Sequence, residues 1–333
     1  MASNIQVLLK TTPTGIPEEE HFEVVTSDMP VLEQDHVLVQ NEWLSLDPYM
    51  RGQIAGRHLS GKVSPGDVLR GETVATVVES KSALFEKGDR VVGFGGWQQY
   101  TSMPASDLTK IREDIQPASY ALSALGMTGL TAYAGLVWQA QIKEGDTVLI
   151  PAAIGAVGSA AAQIAKNKGC KIIGVSSYPS KIKYATEMLG YDACINRLDA
   201  NVEAHLKKLA PNGVDVYFDL VGGEMLEMAS RNLAIGARVI LCGLMADYNN
   251  ENKTPGPYPG LWIGARATIT GLVVYDYMSR TDEFLDAMLP MINDGRMKVL
   301  EDVSHGISSA PTAFCKLMRG ENEGKTLVRL TEE

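Results

Sequence analysis

The stretch Asp146-Thr-Val-Leu-Ile-Pro-Ala-Ala-Ile-Gly-Ala-Val-Gly-Ser159 decides the fold. Thr147–Ile150 is a short, almost wholly apolar run, the pattern of a strand buried on both faces. From Ser159 to Lys168 the chain reads as a helix. Between them, counted from Ala153, the sequence is A-x-G-x-x-G, with Gly155 and Gly158 in the last two places and Ala153 in place of the usual first glycine. Gly155 lets the backbone approach an anion, and Gly158 lets helix and strand pack closely. A helix starting here presents free N–H groups and the positive end of its dipole to that anion. The turn is therefore expected to hold a pyrophosphate along Gly155, Ala156, Val157 and Gly158.

Downstream the same rhythm continues. Strands are expected at Lys171–Val175, Ala193–Ile195, Asp215–Leu220, Arg238–Cys242 and Thr268–Val274, with helices at Lys181–Leu189, Val202–Leu209 and Met225–Leu233 between them. Six short apolar strands separated by helices imply a doubly wound Rossmann sheet, an α/β architecture with both faces covered. Upstream of about Tyr100 the segments are short and β-like: His36–Gln40, Gly71–Val78 and Arg90–Phe94, with turn signals at Ser64-Pro-Gly-Asp67 and Glu86-Lys-Gly-Asp89. Beyond the helix ending near Asn293, Lys298–Leu300 and Thr326–Leu330 read as strands returning to this β half. The expected domains are residues 1–120 with 298–333, mostly β and substrate-binding, and the Rossmann unit 121–297. Thr254-Pro-Gly-Pro-Tyr-Pro-Gly260 reads as a loop, and Asn249–Gly260 as a mobile wall over the site. Tyr258, and Trp262 just beyond, would suit a flat conjugated substrate.

Length and composition agree with two soluble domains: 333 residues, 45% hydrophobic and 21% charged. A net charge of −10 argues against a nucleic-acid partner. No apolar run is long enough for a membrane span, and the first residues lack a secretory pattern. Cys170, Cys194, Cys242 and Cys315 form no C-x-x-C pair and read as buried thiols of a reducing cytoplasm.

The second expected strand selects the nucleotide. An NAD-binding strand commonly ends in Asp or Glu, which binds the ribose 2′-OH and repels a 2′-phosphate. Here Ser176 and Ser177 follow, then Lys181, with Arg197 after the third strand. Cations at a helix N-terminus are disfavoured unless an anion is bound. Hydroxyls and cations suit a 2′-phosphate, so NADP(H) is the expected cofactor.

Leu44-Ser-Leu-Asp-Pro-Tyr-Met-Arg-Gly52, Gly126-Met-Thr-Gly-Leu-Thr-Ala-Tyr133 and the A-A-x-G-A-V-G-S turn resemble the zinc-independent medium-chain dehydrogenases/reductases. The nearest groups are the prostaglandin/leukotriene, alkenal double-bond and curcumin reductases. The resemblance covers essentially the whole chain, including Gly320-Glu-Asn-Glu-Gly-Lys325, and implies a GroES-like N-terminal domain. It implies that Thr128 and Gly129 lie along the cofactor and that Asn322 reaches its pyrophosphate or nicotinamide side. Lys181 contacts the 2′-phosphate, and Cys242, Gly243 and Val273 flank the nicotinamide. Tyr49 and Tyr248 border the substrate. Two positions depart from the pattern: Arg197 stands where relatives often have Tyr, and Gly264 stands where many double-bond reductases carry an acid Tyr.

Zinc-dependent cousins present a Gly-His-Glu segment where this chain reads Arg70-Gly-Glu-Thr73, and His21, His36, His58, His205 and His305 are scattered. Without a Lewis acid, hydride addition to the β-carbon of an enone or enal is the expected chemistry, its enolate needing only hydrogen-bond donors such as Tyr49 or Tyr248. The competing readings are an NADPH:quinone reductase and a non-catalytic NADPH-binding protein. A homodimer through the edge strand at Thr268–Val274 is expected.

Overall fold

The computed structural model describes residues 3–250 and 252–331, and the chain divides into two compact units, Met1–Leu122 with Glu301–Glu333, and Ser123–Leu300. In chain order the strands are β1 (Ser3–Leu9), β2 (Phe22–Asp28), β3 (His36–Ser45), β4 (Thr73–Ser80), β5 (Arg90–Gly93), β6 (Tyr100–Pro104) and β7 (Thr109–Lys110) in the first unit. The second unit holds β8 (Thr147–Pro151), β9 (Lys171–Ser176), β10 (Ala193–Asn196), β11 (Val214–Asp219), β12 (Leu233–Leu241) and β13 (Thr268–Gly271). The chain then returns to the first unit with β14 (Glu301–His305) and β15 (Lys325–Arg329).

The second unit is a six-stranded parallel sheet in the order β10-β9-β8-β11-β12-β13. Counted within the unit this is 3-2-1-4-5-6, the doubly wound order with its switch point between β8 and β11. Val148, Leu149, Ile150, Ile172, Ile173 and Val216 have no exposed surface, as central strands covered on both faces require. Ligands of such sheets bind outside the carboxyl ends at the switch point, where β8 runs into the glycine turn and β11 ends at Asp219.

The first unit carries a seven-stranded path, β14-β15-β3-β4-β5-β7, with β6 also on β3, and a separate β1–β2 pair. Every pairing is antiparallel except β14–β15. Its two expected turns share one device. Asp67 accepts the Ser64 N–H at 2.8 Å and Asp89 accepts the Glu86 N–H at 2.8 Å, with Gly66 and Gly88 at φ +93° and +95°. No helix of the described residues is long and apolar enough to cross a membrane.

Several sequence expectations are corrected. Lys298–Leu300 is not a strand; β14 begins at Glu301. Lys298 is held by a side chain, its N–H donating to Gln163 Oε1 at 2.6 Å and its C=O accepting from Gln163 Nε2 at 2.9 Å. Leu233, expected to close a helix, opens β12, because that helix (Gly223–Ser230) stops three residues earlier. Pro259 and Gly260, expected in a loop, begin the helix Pro259–Ala265, where proline costs nothing because its missing N–H would be unpaired anyway. β13 stops at Gly271, leaving Leu272, Val273 and Val274 outside it.

The Gln163 clasp is testable. Gln163→Leu would remove both hydrogen bonds to the part-buried backbone of Lys298, at about 0.5–1.5 kcal/mol each. Urea unfolding should show a loss of that order with an unchanged slope; a loss under about 0.5 kcal/mol would mean water replaces the amide.

Candidate functional site

The glycine turn is shaped by backbone contact. Ala152 adopts φ +51°, Gly155 N–H closes on Ala152 C=O at 2.8 Å, and Gly155 caps the helix Ala156–Asn167 without any side-chain cap. The N–H groups of Ala156, Val157 and Gly158 therefore have no intrahelical acceptor and form the anion-binding face. A Cβ on Gly158 would lie 2.4 Å from Ala152 O, and one on Gly174 of β9 would lie 2.9 Å from Ala153 Cβ, so neither position has room for a side chain. Tyr191, buried behind the turn, brings its hydroxyl to 2.9 Å from Ala153 O and 3.0 Å from Gly158 O. Burial pushes this phenol well above its usual range, so it stays a donor. Nothing in the sequence singled out Tyr191. These groups fit a pyrophosphate: small residues, free amides, a dipole and no acid.

The end of β9 fits a second phosphate. Arg197 donates from Nε to Ser177 Oγ at 3.0 Å and from its backbone to Ser176 O at 2.7 Å. Lys181 sits in the first turn of the helix Pro179–Met188, where there is no acid; it is only 8% exposed, with Nζ 5.1 Å from the Tyr178 ring centre. Three of the expected residues thus converge within one strand end and the loop beside it, and Lys181 begins the adjoining helix.

At the ends of β11 and β12, Cys242 and Gly243 donate their N–H groups to Asp219 O at 2.9 and 3.0 Å. They follow β12 rather than end it. A Cβ on Gly243 would lie 2.8 Å from Leu220 O. Burial, reinforced by Asp219, pushes the Cys242 thiol up to about 12, so it remains a thiol and no nucleophile. Asp219 Oδ1 accepts from Tyr217, Val221 and Gly222 at 2.8–3.0 Å and so fixes the loop after β11. Tyr248 ends the short turn Met245–Asp247, and burial raises its phenol. Asp247 accepts from Thr254 Oγ1 at 2.7 Å, which ties the base of the expected wall; residue 251 of that wall lies outside the described residues. Trp262 is turned to Ser230, its Nε1 donating at 3.0 Å, while Tyr258 is exposed. Val273 is 38% exposed. Thr128 donates to Ser123 O at 2.9 Å, and a Cβ on Gly129 would fall 1.9 Å from Ala124 O, so packing alone demands glycine there.

In the first unit the L-S-L-D-P-Y-M-R motif is mostly an anchor. Lys325, 2% exposed, donates to Asp47 Oδ1 at 2.5 Å and to Leu46 O at 3.0 Å, while Ser45 Oγ donates to Asp47 Oδ2. Arg51 is buried on Pro13 O at 3.0 Å and Gly15 O at 2.9 Å. Leu46 and Met50 are core. Tyr49 and Pro48 are partly exposed. Asn322, donating to Gly324 O at 2.8 Å, lies on the segment that Lys325 fastens beside Asp47. Glu72 adds a further buried carboxyl: its Oε2 is sealed from solvent without a partner. Burial, then the Asp47 charge, raises it from the usual 4.5 to about 7, with Lys325 opposing.

Comparison with known proteins places this geometry. Residues 5–111 match a model described as the N-terminal domain of oxidoreductase, and residues 156–293 one described as a zinc-binding dehydrogenase. The chain is 36% identical to the NADPH-dependent curcumin reductase of Escherichia coli K12 over 98% of its own length and 97% of that protein's. It is 37% identical to the 2-alkenal reductase (NADP(+)-dependent) of Nicotiana tabacum over 99% and 98%. The chain belongs to the medium-chain dehydrogenase/reductase family. The crystal structure of CurA from Vibrio vulnificus in complex with NADPH superposes with a TM-score of 0.93 at 36% identity, covering 100% of both chains. Among the described residues no group of three or more His, Cys, Asp or Glu is placed to hold a metal ion.

Two measurements check the site. Tyr191→Phe removes the hydroxyl that reaches both Ala153 and Gly158, and should lower stability by about 1–2 kcal/mol while weakening nucleotide affinity. Unchanged affinity would mean the turn is rigid without it. Glu72 binds its proton more tightly folded than unfolded, so its contribution is complete below pH 4.5 and is lost as pH rises towards 7. Glu72→Gln should therefore raise Tm at pH 8 but not at pH 4.5; an equal change at both would refute the buried neutral carboxyl.

Proposed function

We propose that this protein reduces the activated C=C bond of α,β-unsaturated ketones and aldehydes with NADPH. The observation that carries this is the match over nearly the whole chain with reductases named for curcumin and for 2-alkenals, with Tyr49 a partly exposed phenol two residues from the Lys325–Asp47 pair. NADP(H), when bound, supplies a hydride to the substrate β-carbon. Gly155, Ala156, Val157 and Gly158 hold the pyrophosphate on their backbone; Ser176, Ser177, Lys181 and Arg197 hold the 2′-phosphate. Cys242, Gly243 and Val273 flank the nicotinamide, with Thr128 and Gly129 along the cofactor and Asn322 at its pyrophosphate or nicotinamide side. Tyr49 and Tyr248 donate hydrogen bonds to the carbonyl oxygen as negative charge gathers there. No imidazole or thiol occurs in Arg70–Thr73, so hydrogen bonds carry that charge.

Two further readings belong to the proposal. The open edge strand β13 is the seam of a homodimer, to be checked as a doubled mass by light scattering. Four unpaired cysteines support a cytoplasmic setting.

The test follows NADPH absorbance with a 2-alkenal, a benzylidene ketone and a benzoquinone. Turnover of the alkenal or ketone is expected, with NADPH well ahead of NADH. Lys181→Ala should lower kcat/KM for NADPH by about 10–100-fold, the value of one charged hydrogen bond, and leave NADH nearly unchanged. Turnover of the quinone alone would refute the alkene reading, and binding of NADPH without turnover would leave a binding protein.

A further inference from the structure

The ring of His58 lies against Tyr49, with centroids 4.9 Å apart and planes 28° apart. Gly52, inside the helix Met50–Ile54, makes room for it: a Cβ there would sit 3.3 Å from His58 Cβ and 3.6 Å from Cδ2. The imidazole is held from one side only. Ser60 Oγ lies 2.6 Å from Nδ1, the Ser60 backbone N–H points at the same nitrogen at 3.2 Å, and Gln53 Nε2 donates to Ser60 Oγ at 2.9 Å. A backbone N–H can only donate, so Nδ1 is the acceptor and the neutral ring carries its proton on Nε2. Partial burial lowers the basicity of His58, which favours that neutral form. No hydrogen bond from Nε2 exists among the described residues. The chain thus fixes the tautomer of one histidine through Gln53 and Ser60, stacks it on the phenol at the end of the D-P-Y motif, and leaves its only N–H unused.

We propose that His58 is a catalytic residue, a second hydrogen-bond donor that holds the substrate carbonyl oxygen beside Tyr49. This rests on the enone reading above. As the β-carbon gains hydride from the reduced nicotinamide, the C=C electron pair shifts and leaves a negative charge on the carbonyl oxygen. The substrate is reduced by two electrons and the cofactor oxidised by two. The α-carbon then takes a proton from water, so the imidazole keeps its own. A neutral imidazole is suited to this task, since it polarises a carbonyl without transferring its proton.

The test compares wild type, His58→Phe and His58→Gln with an enone and NADPH, in steady state and by direct NADPH binding. His58→Phe keeps a flat ring against Tyr49 and deletes the donor; His58→Gln keeps a donor without the ring. His58→Phe should lose about 10–100-fold in kcat, the range for a shared oxyanion donor, with NADPH affinity unchanged. His58→Gln should recover at least a third of wild-type kcat. His58→Phe within twofold of wild type would overturn the assignment, as would an equal loss in both variants, which would make the ring a packing element. Absence of turnover by the wild type would instead overturn the enone reading on which the assignment rests.

Discussion

Close backbone approach at the end of β8 governs the second unit. Ala152 O, Gly158 and Ala153 occupy a space in which no extra carbon fits, and Gly174 of the neighbouring strand is hollowed to receive Ala153. That compression brings the Ala156–Asn167 helix against the sheet with its first N–H groups bare. It also explains why Ala153 replaces a glycine at no cost: the left-handed residue is Ala152, one place earlier. Holding an alanine at positive φ costs about 1 kcal/mol, which surrounding structure must offset. The hydroxyl of Tyr191, bridging both sides of the turn, is the group placed to do so.

The first unit uses charge where the second uses contact. A buried Lys325–Asp47 pair contributes little net energy over an apolar pair, but removing one partner strands the other, at about 3–5 kcal/mol. Its effect is geometric. It clamps the strand-to-helix corner at Asp47, with Arg51 on the Pro13–Gly15 loop, and Tyr49 in that corner stacks on His58. Glu72 joins the cluster as a carboxyl whose hold on its proton is raised by burial and by the Asp47 charge.

Much of this was legible in the sequence for identifiable reasons. Parallel strands are buried on both faces, so they appear as unbroken apolar runs, and the glycine turn sits between the first run and its helix. The cluster of Ser176, Ser177 and Arg197 was legible because strand ends in this order point to one edge. Other features were not. Val299 and Leu300 look like a strand, yet their segment is fixed by the Gln163 side chain, 135 residues away. Lys325 and Asp47 are 278 residues apart, and a lone Lys in a glycine-rich segment does not announce a buried partner. Tyr191 and His58 carry no motif, and only the fold shows what their ring atoms touch. Pro259 looks like a loop residue because proline serves both loops and first helical turns.

The second unit is built for a nucleotide with a phosphate on its adenosine ribose. The most direct measurement is calorimetric binding of the fragments 2′,5′-ADP and 5′-AMP at two salt concentrations. Because both fragments share the adenosine and the 5′-phosphate, their difference isolates the 2′-phosphate, the group proposed for Ser177, Lys181 and Arg197. At least a 100-fold preference for 2′,5′-ADP, shrinking as salt rises, is expected from two cations on a phosphate bearing close to two charges. Equal affinity for the two fragments would contradict it.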